Sequence, residues 1–547
     1  MSFLLKKLKG YSIGNNGNRN QDITHLFFVD DLKLFATNMN SAKAQLDLVT
    51  TFSRDIGMKF GESKCAYLII ERGKQKCTDE ILEMNSTKIQ PIAEDMTYKY
   101  LGVDENVSYK GSLNKNRIQS EYFKRVRKIW CSELSGYNKY IAHNSFALPV
   151  LTPTFGILNW TKDEIKAIDI KTRKVLNMTG NFHRNSDVDR LYAPRKEGGR
   201  GLKMVKEAYE SRIISINQHL HQSTQRNPYL KKVVEGESEC IVRQAREFLS
   251  TANIDVEENC TPQKLSQKYL QYCKKQRLQR FEEKAMHSYI WRKISSQESV
   301  NLAKTTSWSA NKYMTSHFEG YAHALYEQEI NTKDLQYRRD KKAGLQPKHN
   351  NRCRLCKVHV EDITHVVSSC PNMSARYYLP LRHDPIAATV YTALRKKEDP
   401  HANVKCSENE FVYKEGCKEY WWNVPVKTAT KVKHNKPDII QWDLQSKTCK
   451  IIEISCPADV NVTSKICEKE NIYGPLIRNM QLMYKDYTFS FVPVIVGALG
   501  TVPKRLESSL NDLGFTQKEN SSLIRTIQMR AISGTIKVCK TFLRFSV

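Results

Sequence analysis

The spacing of apolar and polar residues divides the chain into stretches of different character. Before residue 105 the apolar runs are short. They predict a strand, a turn and a strand over 24–36, an amphipathic helix over 41–56, and short strands at 64–71 and 98–103. From about 106 to 345 apolar residues recur every three or four positions between charged ones, which predicts basic helices.

Two polar segments lie in this helical stretch. Residues 253–284 are rich in Gln and Lys and predict either a linker or a solvated helix, whereas 341–351 are basic with Gly and Pro, which is typical of a domain boundary. A compact cysteine and histidine unit follows, and from about 405 short strands alternate with helices. The pattern therefore predicts a multi-domain chain of α/β and α parts.

The charge of the chain indicates its partners. The 86 Lys and Arg residues outnumber the 58 Asp and Glu residues, which gives a formal net charge of +28. The commonest partner of such an excess is a phosphate backbone. A membrane surface would also attract it, but the apolar runs are too short to span a bilayer and no secretory signal is visible. We therefore expect nucleic acid as partner, with no membrane and no small-molecule cofactor.

Two adjacent aspartates, Asp30 and Asp31, lie between apolar runs in residues 26–36. At the tight turn of a hairpin, paired carboxylates can hold Mg²⁺ for nucleotidyl transfer. An ordinary polar turn has the same local pattern, so these residues alone leave both readings open.

One group of the fifteen cysteines has metal-ligand spacing. Cys353, Cys356, His365 and Cys370 form C-x2-C-x8-H-x4-C, which meets the tetrahedral demand of structural Zn²⁺. His359 could replace His365, but His365 is preferred because it precedes Cys370 by about one helical turn. Unligated thiols in a reducing compartment are the alternative. With four protein ligands the site would be structural or would dock nucleic acid.

A second pair of carboxylates lies near the C-terminus. Residues 436–443 and 450–455 read as strands joined by a turn, and the hairpin places Asp438 almost opposite Glu453. Cross-strand neighbours have Cβ atoms about 5 Å apart. Two carboxylates at that distance repel each other unless a divalent cation joins them, which predicts Mg²⁺ or Mn²⁺. Ordinary surface residues on adjacent strands are the alternative.

Three ordered motifs near the N-terminus resemble a known family. Residues 28–31 (Phe-Val-Asp-Asp), 57–65 and 98–102 are similar to successive palm motifs of reverse transcriptases of non-LTR retrotransposons. The resemblance implies that Asp30 and Asp31 bind catalytic metal and that Lys64 assists proton transfer. The family also needs an earlier aspartate, fingers and a template grip. Because only 29 residues precede Asp30, we expect no polymerase activity from this chain alone.

A basic, glycine-rich loop in the middle of the chain resembles a stretch beyond the thumb of the same retrotransposons. It runs over residues 191–202 and contains Arg195, Lys196 and Arg200. Glycines let a backbone approach phosphates, and the three cations would supply charge. With the resemblance, nucleic-acid contact is the favoured reading, and a solvated turn is the alternative.

The C-terminal third resembles the restriction-like endonuclease of these elements. In that class a zinc knuckle like the Cys353–Cys370 unit is followed by an Arg-His-Asp triplet, which here is Arg382-His383-Asp384. The pattern P-D-x14-E, which begins at Pro437 and ends at Glu453, is similar to the PD-(D/E)xK nuclease core. Ser455 stands where that core has its lysine. In these endonucleases the lysine lies on the next helix, and the match over 468–476 implies Lys469, with Lys465 as the runner-up. This lysine would stabilise the attacking water and the phosphate charge.

With the resemblance, the expected fold class is multi-domain α/β and α. The expected domains are a partial right-hand reverse-transcriptase palm (1–105), a helical thumb-like region (106–235), a basic helical linker (236–345), a CCHC zinc knuckle (346–395), a PD-(D/E)xK-like α/β endonuclease (396–510) and a C-terminal tail (511–547).

The implied function is metal-dependent DNA nicking by the C-terminal domain. Structural Zn²⁺ and catalytic Mg²⁺ or Mn²⁺ would be the cofactors, and target DNA and element RNA the partners. The location would be the nucleus, or the cytoplasm before nuclear entry. A catalytically inactive nucleic-acid-binding relic of such an element is the alternative.

Overall fold

The computed structural model describes the whole chain except residues 13–21, 62–63, 77, 79, 85–86, 94–95, 106, 108–110, 226, 228–229, 231–238, 258, 348, 403, 405–410 and 546–547. The chain is mixed α/β and divides into two compact units. The first unit contains Met1–Val126, Ser145–Thr172 and Lys203–Cys273, and the second contains Arg127–Asn144, Arg173–Leu202 and Lys274–Val547. Within the described residues, no helix has both the length and the apolar character needed to cross a bilayer.

Helices make up most of the described structure. In chain order the α-helices are Ser2–Leu5, Met39–Asp55, Gly111–Trp130, Gly136–Ala142, Lys162–Met178, Val188–Tyr192, Val205–Thr224, Glu239–Thr251, Pro262–Glu282, Tyr289–Ser295, Leu302–Thr305, Ser316–Tyr326, Lys333–Lys342, Asp384–Glu398, Val462–Met483, Lys504–Asp512 and Gln517–Phe542. A further helical segment, Ser374–His383, leads directly into Asp384–Glu398.

The strands form one larger sheet and several small ones. In chain order they are Tyr11–Ser12, Asp22–Ile23, His25–Phe28, Asp31–Leu34, Ala66–Tyr67, Ile70–Glu71, Lys74–Gln75, Leu82–Met84, Thr87–Pro91, Tyr98–Tyr100, Val103–Glu105, Phe411–Glu415, Lys418–Trp422, Ile439–Asp443, Thr448–Ser455 and Thr488–Ile495. The first eleven belong to pairs and one three-stranded sheet, and the last five form one five-stranded sheet.

The first unit confirms the hairpin predicted over 24–36. His25–Phe28 pairs antiparallel with Asp31–Leu34, and Phe28 faces Asp31 across the turn. The predicted helix 41–56 is also present as Met39–Asp55, where the Asn38 side chain accepts a hydrogen bond from the Ser41 amide and so caps the first turn.

The single strand predicted at 98–103 is wrong, because the chain turns back within it. Tyr98–Tyr100 pairs with Val103–Glu105, and the two turn residues Leu101 and Gly102 both have positive φ, 46° and 84°. A two-residue hairpin turn of type I′ requires this left-handed backbone at both central positions. The strand predicted at 64–71 is likewise divided, into Ala66–Tyr67 and Ile70–Glu71.

The helical prediction for the middle of the chain is confirmed. Ile165 and Ile168, placed on one face by their spacing, are buried on the helix Lys162–Met178. Within the segment 253–284, the structure has the helix Pro262–Glu282, so the solvated-helix alternative is the correct one there.

The second unit is organised by the five-stranded sheet. Its strand order follows the sequence, with antiparallel pairs up to Thr448–Ser455 and a parallel pair between that strand and Thr488–Ile495. Because parallel strands need a crossover, the helix Val462–Met483 connects them. One sheet face packs against this helix through residues such as Ile440 and Leu476. The other face packs against helices on the opposite side.

The interval 511–547, expected as a tail, is dominated by the helix Gln517–Phe542, which we call the C-terminal helix. Its Ile527 lies in the core of the sheet, and its Ile536 lies in a core that also contains Cys353 and Cys370. The C-terminal helix therefore links the cysteine cluster and the sheet. The sequence carried one signal for it, the capping box formed by Thr516 and Glu519.

Candidate metal and nuclease sites

The carboxylates of Asp438 and Glu453 lie side by side at the end of two neighbouring strands. Ile439 pairs with Ile452, which places Asp438 opposite Glu453 as the hairpin register predicted. The Ile454 amide donates to Asp438 Oδ2 at 2.7 Å, and the Asp438 amide lies 3.4 Å from Glu453 Oε2. Backbone hydrogen bonds thus fix both side chains at one point of the sheet.

Glu453 is nearly buried, with 4% of its surface exposed. Burial and the neighbouring charge of Asp438 raise its pKa from 4.5 to about 7, although Lys469 opposes this rise. A nearby positive charge therefore stabilises the ionised form of Glu453. Such perturbed carboxyl groups are typical of functional sites.

Lys469 supplies the nearest positive charge. Its Nζ lies 2.5 Å from Glu453 Oε1, and the helix Val462–Met483 that carries it continues through Gly474 and Pro475. The alternative lysine, Lys465, pairs instead with Glu468 on the surface of the same helix. Of the two lysines named from the sequence, the structure brings Lys469 to the carboxylate pair.

Tyr473, one helical turn after Lys469, also reaches the site. Its hydroxyl hydrogen-bonds to Glu453 and lies 3.4 Å from the carbonyl oxygen of Lys436. Burial and the Glu453 charge raise the pKa of this hydroxyl well above its usual value. Tyr473 therefore acts here as a neutral hydrogen-bond donor.

His383 is the site residue to which sequence reasoning assigned no role. Its Nε2 lies 3.3 Å from Asp438 Oδ2, and its Nδ1 lies 2.9 Å from Asp384 Oδ1. Burial lowers the pKa of the imidazole, but the two carboxylates outweigh it and raise the pKa to about 10. The triplet 382–384 was noticed in the sequence, yet nothing in the spacing predicted a contact with a residue 55 positions later.

This arrangement has the chemistry of a divalent-cation site. Two carboxylates from adjacent strands face each other, and the side chains of Asp438, Lys469 and His383 are 15%, 19% and 20% exposed, so the site is open to small ions and to a polar substrate. Mg²⁺ is commonly bound through one or two carboxylates together with substrate phosphates. The residues present fit that requirement.

The cysteine cluster assembles as its spacing predicted. The ligand atoms of Cys353, Cys356, His365 and Cys370 all lie within 4.8 Å of one another, so they could hold a metal such as zinc. The two sulfur atoms of Cys353 and Cys370 are 3.9 Å apart. Zn–S bonds of about 2.3 Å in a tetrahedron place sulfur atoms about 3.8 Å apart. His365, rather than His359, provides the fourth ligand atom of this group.

The environment of the cluster favours thiolate at one position and opposes it at another. Although burial raises the pKa of Cys356, amide hydrogen bonds from His359 and Val358 outweigh it and lower the pKa. Burial and the neighbouring Cys353 raise the pKa of Cys370. A bound cation would favour the ionised form of all three thiols.

No protein-family model matches the chain, and no curated protein matches it.

The aspartates near the N-terminus lie at the tip of the first-unit hairpin. Asp30 and Asp31 are exposed, and Val29 beside them has a φ of 59°. Burial, the neighbouring Cys65 and then the charge of Asp31 raise the pKa of Tyr98. Among the described residues, no third His, Cys, Asp or Glu completes a metal group with this pair. Lys64 occupies a short turn after Gly61, and its motif neighbour Ser63 lies outside the described residues.

The basic loop at 191–202 is packed inside the second unit over much of its length. Arg200 is 1% exposed and its Nη2 donates to the Asn181 carbonyl at 2.6 Å. Arg195 Nη2 lies 2.9 Å from Glu319 Oε1, and Arg200 Nε lies 3.6 Å from the same oxygen. The phosphate contact expected of Arg200 is therefore corrected to an internal ion pair. Lys196 is exposed.

Packing within the second unit also explains two glycines of this loop, Gly198 and Gly199. A side chain on Gly199 would come within 2.1 Å of the Ala193 carbonyl oxygen, and Gly198 has a φ of 76° beside the ring of Trp291. These positions need glycine because of close packing within the unit, and no approach to a phosphate is required to explain them.

Proposed function

We propose that the second unit is a metal-dependent endonuclease that nicks DNA, in a chain derived from a non-LTR retrotransposon polyprotein of the restriction-like-endonuclease type. The observation that carries the proposal is the convergence of Asp438, Glu453 and Lys469. Two carboxylates on neighbouring strands meet an ammonium group from the following helix at one partly exposed point. Each of these groups has a part in phosphodiester hydrolysis.

The carboxylate pair would bind the cation. Asp438 and Glu453 would hold Mg²⁺ or Mn²⁺, which supplies Lewis acidity toward the phosphodiester and lowers the pKa of a bound water. The raised pKa of Glu453, caused by burial and by the charge of Asp438, supports this assignment because a divalent cation relieves that repulsion.

The remaining side chains would position and stabilise. The Lys469 ammonium would lie against the phosphate and stabilise the negative charge that grows in the transition state. His383 would hold Asp438 through its Nε2, and Tyr473 would hold Glu453. In the hydrolysis a water oxygen bonds to phosphorus, the bond from phosphorus to one bridging oxygen breaks, and that oxygen leaves with a proton from water.

The other parts of the chain have supporting roles in the proposal. The Cys353, Cys356, His365 and Cys370 cluster would bind structural Zn²⁺, and exposed cations such as Lys196 would contact target DNA or element RNA. Asp30, Asp31 and Lys64 would be residues of a reverse-transcriptase palm that does not polymerise by itself. Such a protein would act in the nucleus.

The test is nicking of supercoiled plasmid by the full chain with Mn²⁺ or Mg²⁺. The variants are Asp438→Asn and Glu453→Gln, and the matched control is Asp486→Asn, an exposed aspartate of the same unit. We expect open-circle product that requires the cation, is lost in both site variants and persists in the control. Circular dichroism and zinc content verify that the variants fold.

Two results would refute an active nuclease. One is a plasmid that stays supercoiled with the wild-type chain and either cation. The other is nicking that survives both site substitutions. Plasmid binding without cutting would identify the chain as an inactive nucleic-acid-binding relic.

A further inference from the structure

A strongly basic loop ends two residues before Asp438. It spans residues 427–436, between the strands Lys418–Trp422 and Ile439–Asp443, and we call it the basic loop. It contains Lys427, Lys431, Lys433, His434 and Lys436, all exposed, and no Asp or Glu. Four lysines in ten residues give it a formal charge of +4 when His434 is neutral.

Hydrogen bonds hold the basic loop in one shape. At its neck the Val426 amide donates to the Asn435 carbonyl at 2.8 Å, and Asn435 Nδ2 donates back to the Val426 carbonyl at 3.1 Å. At its tip the Ala429 amide donates to Asn479 Oδ1 at 2.9 Å, and Asn479 Nδ2 donates to Thr430 Oγ1. Asn479 is buried on the helix that carries Lys469.

Three lysines of the basic loop, Lys427, Lys431 and Lys433, are exposed. Within the described part of the chain, no acidic side chain forms an ion pair within 4 Å with Lys427, Lys431 or Lys433, whereas Lys418 on the preceding strand pairs with Glu398. Solvation alone accounts for exposed lysines. It does not account for the hydrogen bonds that hold the loop backbone against Asn479, ten residues after Lys469 on the same helix.

The loop also lies within reach of the substrate expected at the carboxylate pair. Asp438 is the fifth residue after Lys433, so their Cα atoms are at most about 18 Å apart. The pairing of Val426 with Asn435 brings Lys427 back to the same end of the loop. Duplex DNA carries one phosphate per strand for each rise of about 3.4 Å. The lysines can therefore meet phosphates within about five positions of the bond at Asp438.

We propose that the basic loop binds the phosphate backbone of duplex DNA on the strand flanking the bond that is cut. The inference deepens the proposed nuclease function and rests on it for the position of the cut. Binding and cutting are separate measurements, so each can fail without the other.

The test measures binding of a fluorescent DNA duplex by the full chain with Ca²⁺ in place of Mn²⁺, over a series of salt concentrations. The loop variant is Lys427→Gln with Lys431→Gln and Lys433→Gln. The control variant, Lys518→Gln with Arg525→Gln and Lys537→Gln, removes the same charge from exposed positions of the C-terminal helix. A Lys→Arg version of the loop variant keeps the charge.

We expect the loop variant to bind duplex DNA about 10- to 100-fold more weakly near 150 mM salt. The slope of log Kd against log salt should fall by up to about 2.7, since each lost phosphate contact removes about 0.9. The control and the Lys→Arg version should stay within about twofold of wild type. A loop variant that binds like wild type, or a control that weakens equally, would overturn the inference. The inference would also be overturned if the loop variant bound single-stranded RNA more weakly than wild type but bound duplex DNA equally well.

The nicking assay separates this inference from the function on which it rests. Nicking by the wild-type chain with loop-independent DNA binding overturns the role of the loop and leaves the nuclease. Loop-dependent binding by a chain that never nicks supports the loop as a DNA-binding surface and refutes the nuclease.

Discussion

The ammonium of Lys469 lies 2.5 Å from the carboxylate of Glu453, although one residue comes from a helix and the other from the neighbouring strand. Lys465, on the same helix, pairs with Glu468. The structure therefore separates a lysine that contacts the carboxylate pair from one that pairs with a glutamate of its own helix. This difference gives a matched pair of substitutions.

Replacing Lys469 by Ala should abolish most nicking while DNA binding is retained. Removal of one donor that stabilises transition-state charge typically costs about 100-fold or more in rate. The measurement is the initial rate of plasmid nicking at saturating Mn²⁺. Lys465→Ala should stay within about twofold of wild type. Equal losses in the two variants would contradict the assignment of Lys469.

Replacing His383 should weaken the binding of the catalytic cation, because the imidazole holds Asp438 through Nε2. His383→Ala should raise the Mn²⁺ concentration for half-maximal nicking by about tenfold, in line with other groups that orient metal ligands. His383→Gln places an amide donor near the Nε2 position and should restore much of the affinity. His383→Asn places its donor nearer the Nδ1 position and should not.

The zinc content of these variants serves as their control. If His383 only supported the fold, Gln and Asn would have equal effects and the rate at saturating Mn²⁺ would fall in both. If nicking by His383→Ala depended on Mn²⁺ concentration as wild type does, His383 would not position Asp438 for cation binding.

The parts of the site that were predictable from sequence are those fixed by local geometry. The opposition of Asp438 and Glu453 followed from a short turn and the two-residue period of strands. The ligand group of the cysteine cluster followed from spacing within 18 residues. In both cases the chain between the partners is too short to allow many other arrangements.

The parts that were not predictable depend on distant contacts. His383 contacts Asp438 across 55 residues, and Arg200 in the loop 191–202 pairs with Glu319 of the helix Ser316–Tyr326. Exposed phosphate-binding arginines and buried paired arginines have the same local sequence. An arginine is buried only where a carboxylate from elsewhere in the chain pairs with it, and the residues around the arginine do not predict that carboxylate. The C-terminal helix was missed because its apolar residues lie on more than one face, which weakens any single periodic stripe.

If the cysteine cluster holds zinc as proposed, removal of the metal should destabilise the sheet as well as the cluster. Cys353 and Cys370 lie in the core that contains Ile536 of the C-terminal helix, and the same helix enters the sheet core through Ile527. Cys370→Ser should lower the zinc content. It should also lower the melting temperature by about 4 °C, because a loss of about 3 kcal/mol acts against an unfolding entropy of about 2.1 cal/mol/K per residue over the roughly 320 residues of the second unit.

The spare histidine provides the matched control for this experiment. His359→Ala should keep zinc, because His365 contributes the ligand atom. A chain that loses zinc in Cys370→Ser but keeps its melting temperature would show that the cluster does not stabilise the second unit.

Arg200 and Lys196 belong to the same loop, 191–202, but their substitution should have different effects, because of these two only Arg200 pairs with the buried Glu319. Glu319 is fully buried and faces both Arg195 and Arg200, so Glu319→Gln leaves two guanidinium groups without a compensating carboxylate. Breaking a buried pair by removing one partner costs about 3–5 kcal/mol. Thermal unfolding should show this loss, and Arg200→Met should be destabilised as well. Lys196→Gln should leave the melting temperature unchanged and weaken nucleic-acid binding alone, because its side chain is exposed. If Arg200→Met kept wild-type stability and lost only nucleic-acid affinity, the internal role of Arg200 would be refuted. The result would instead support the phosphate contact predicted from the sequence.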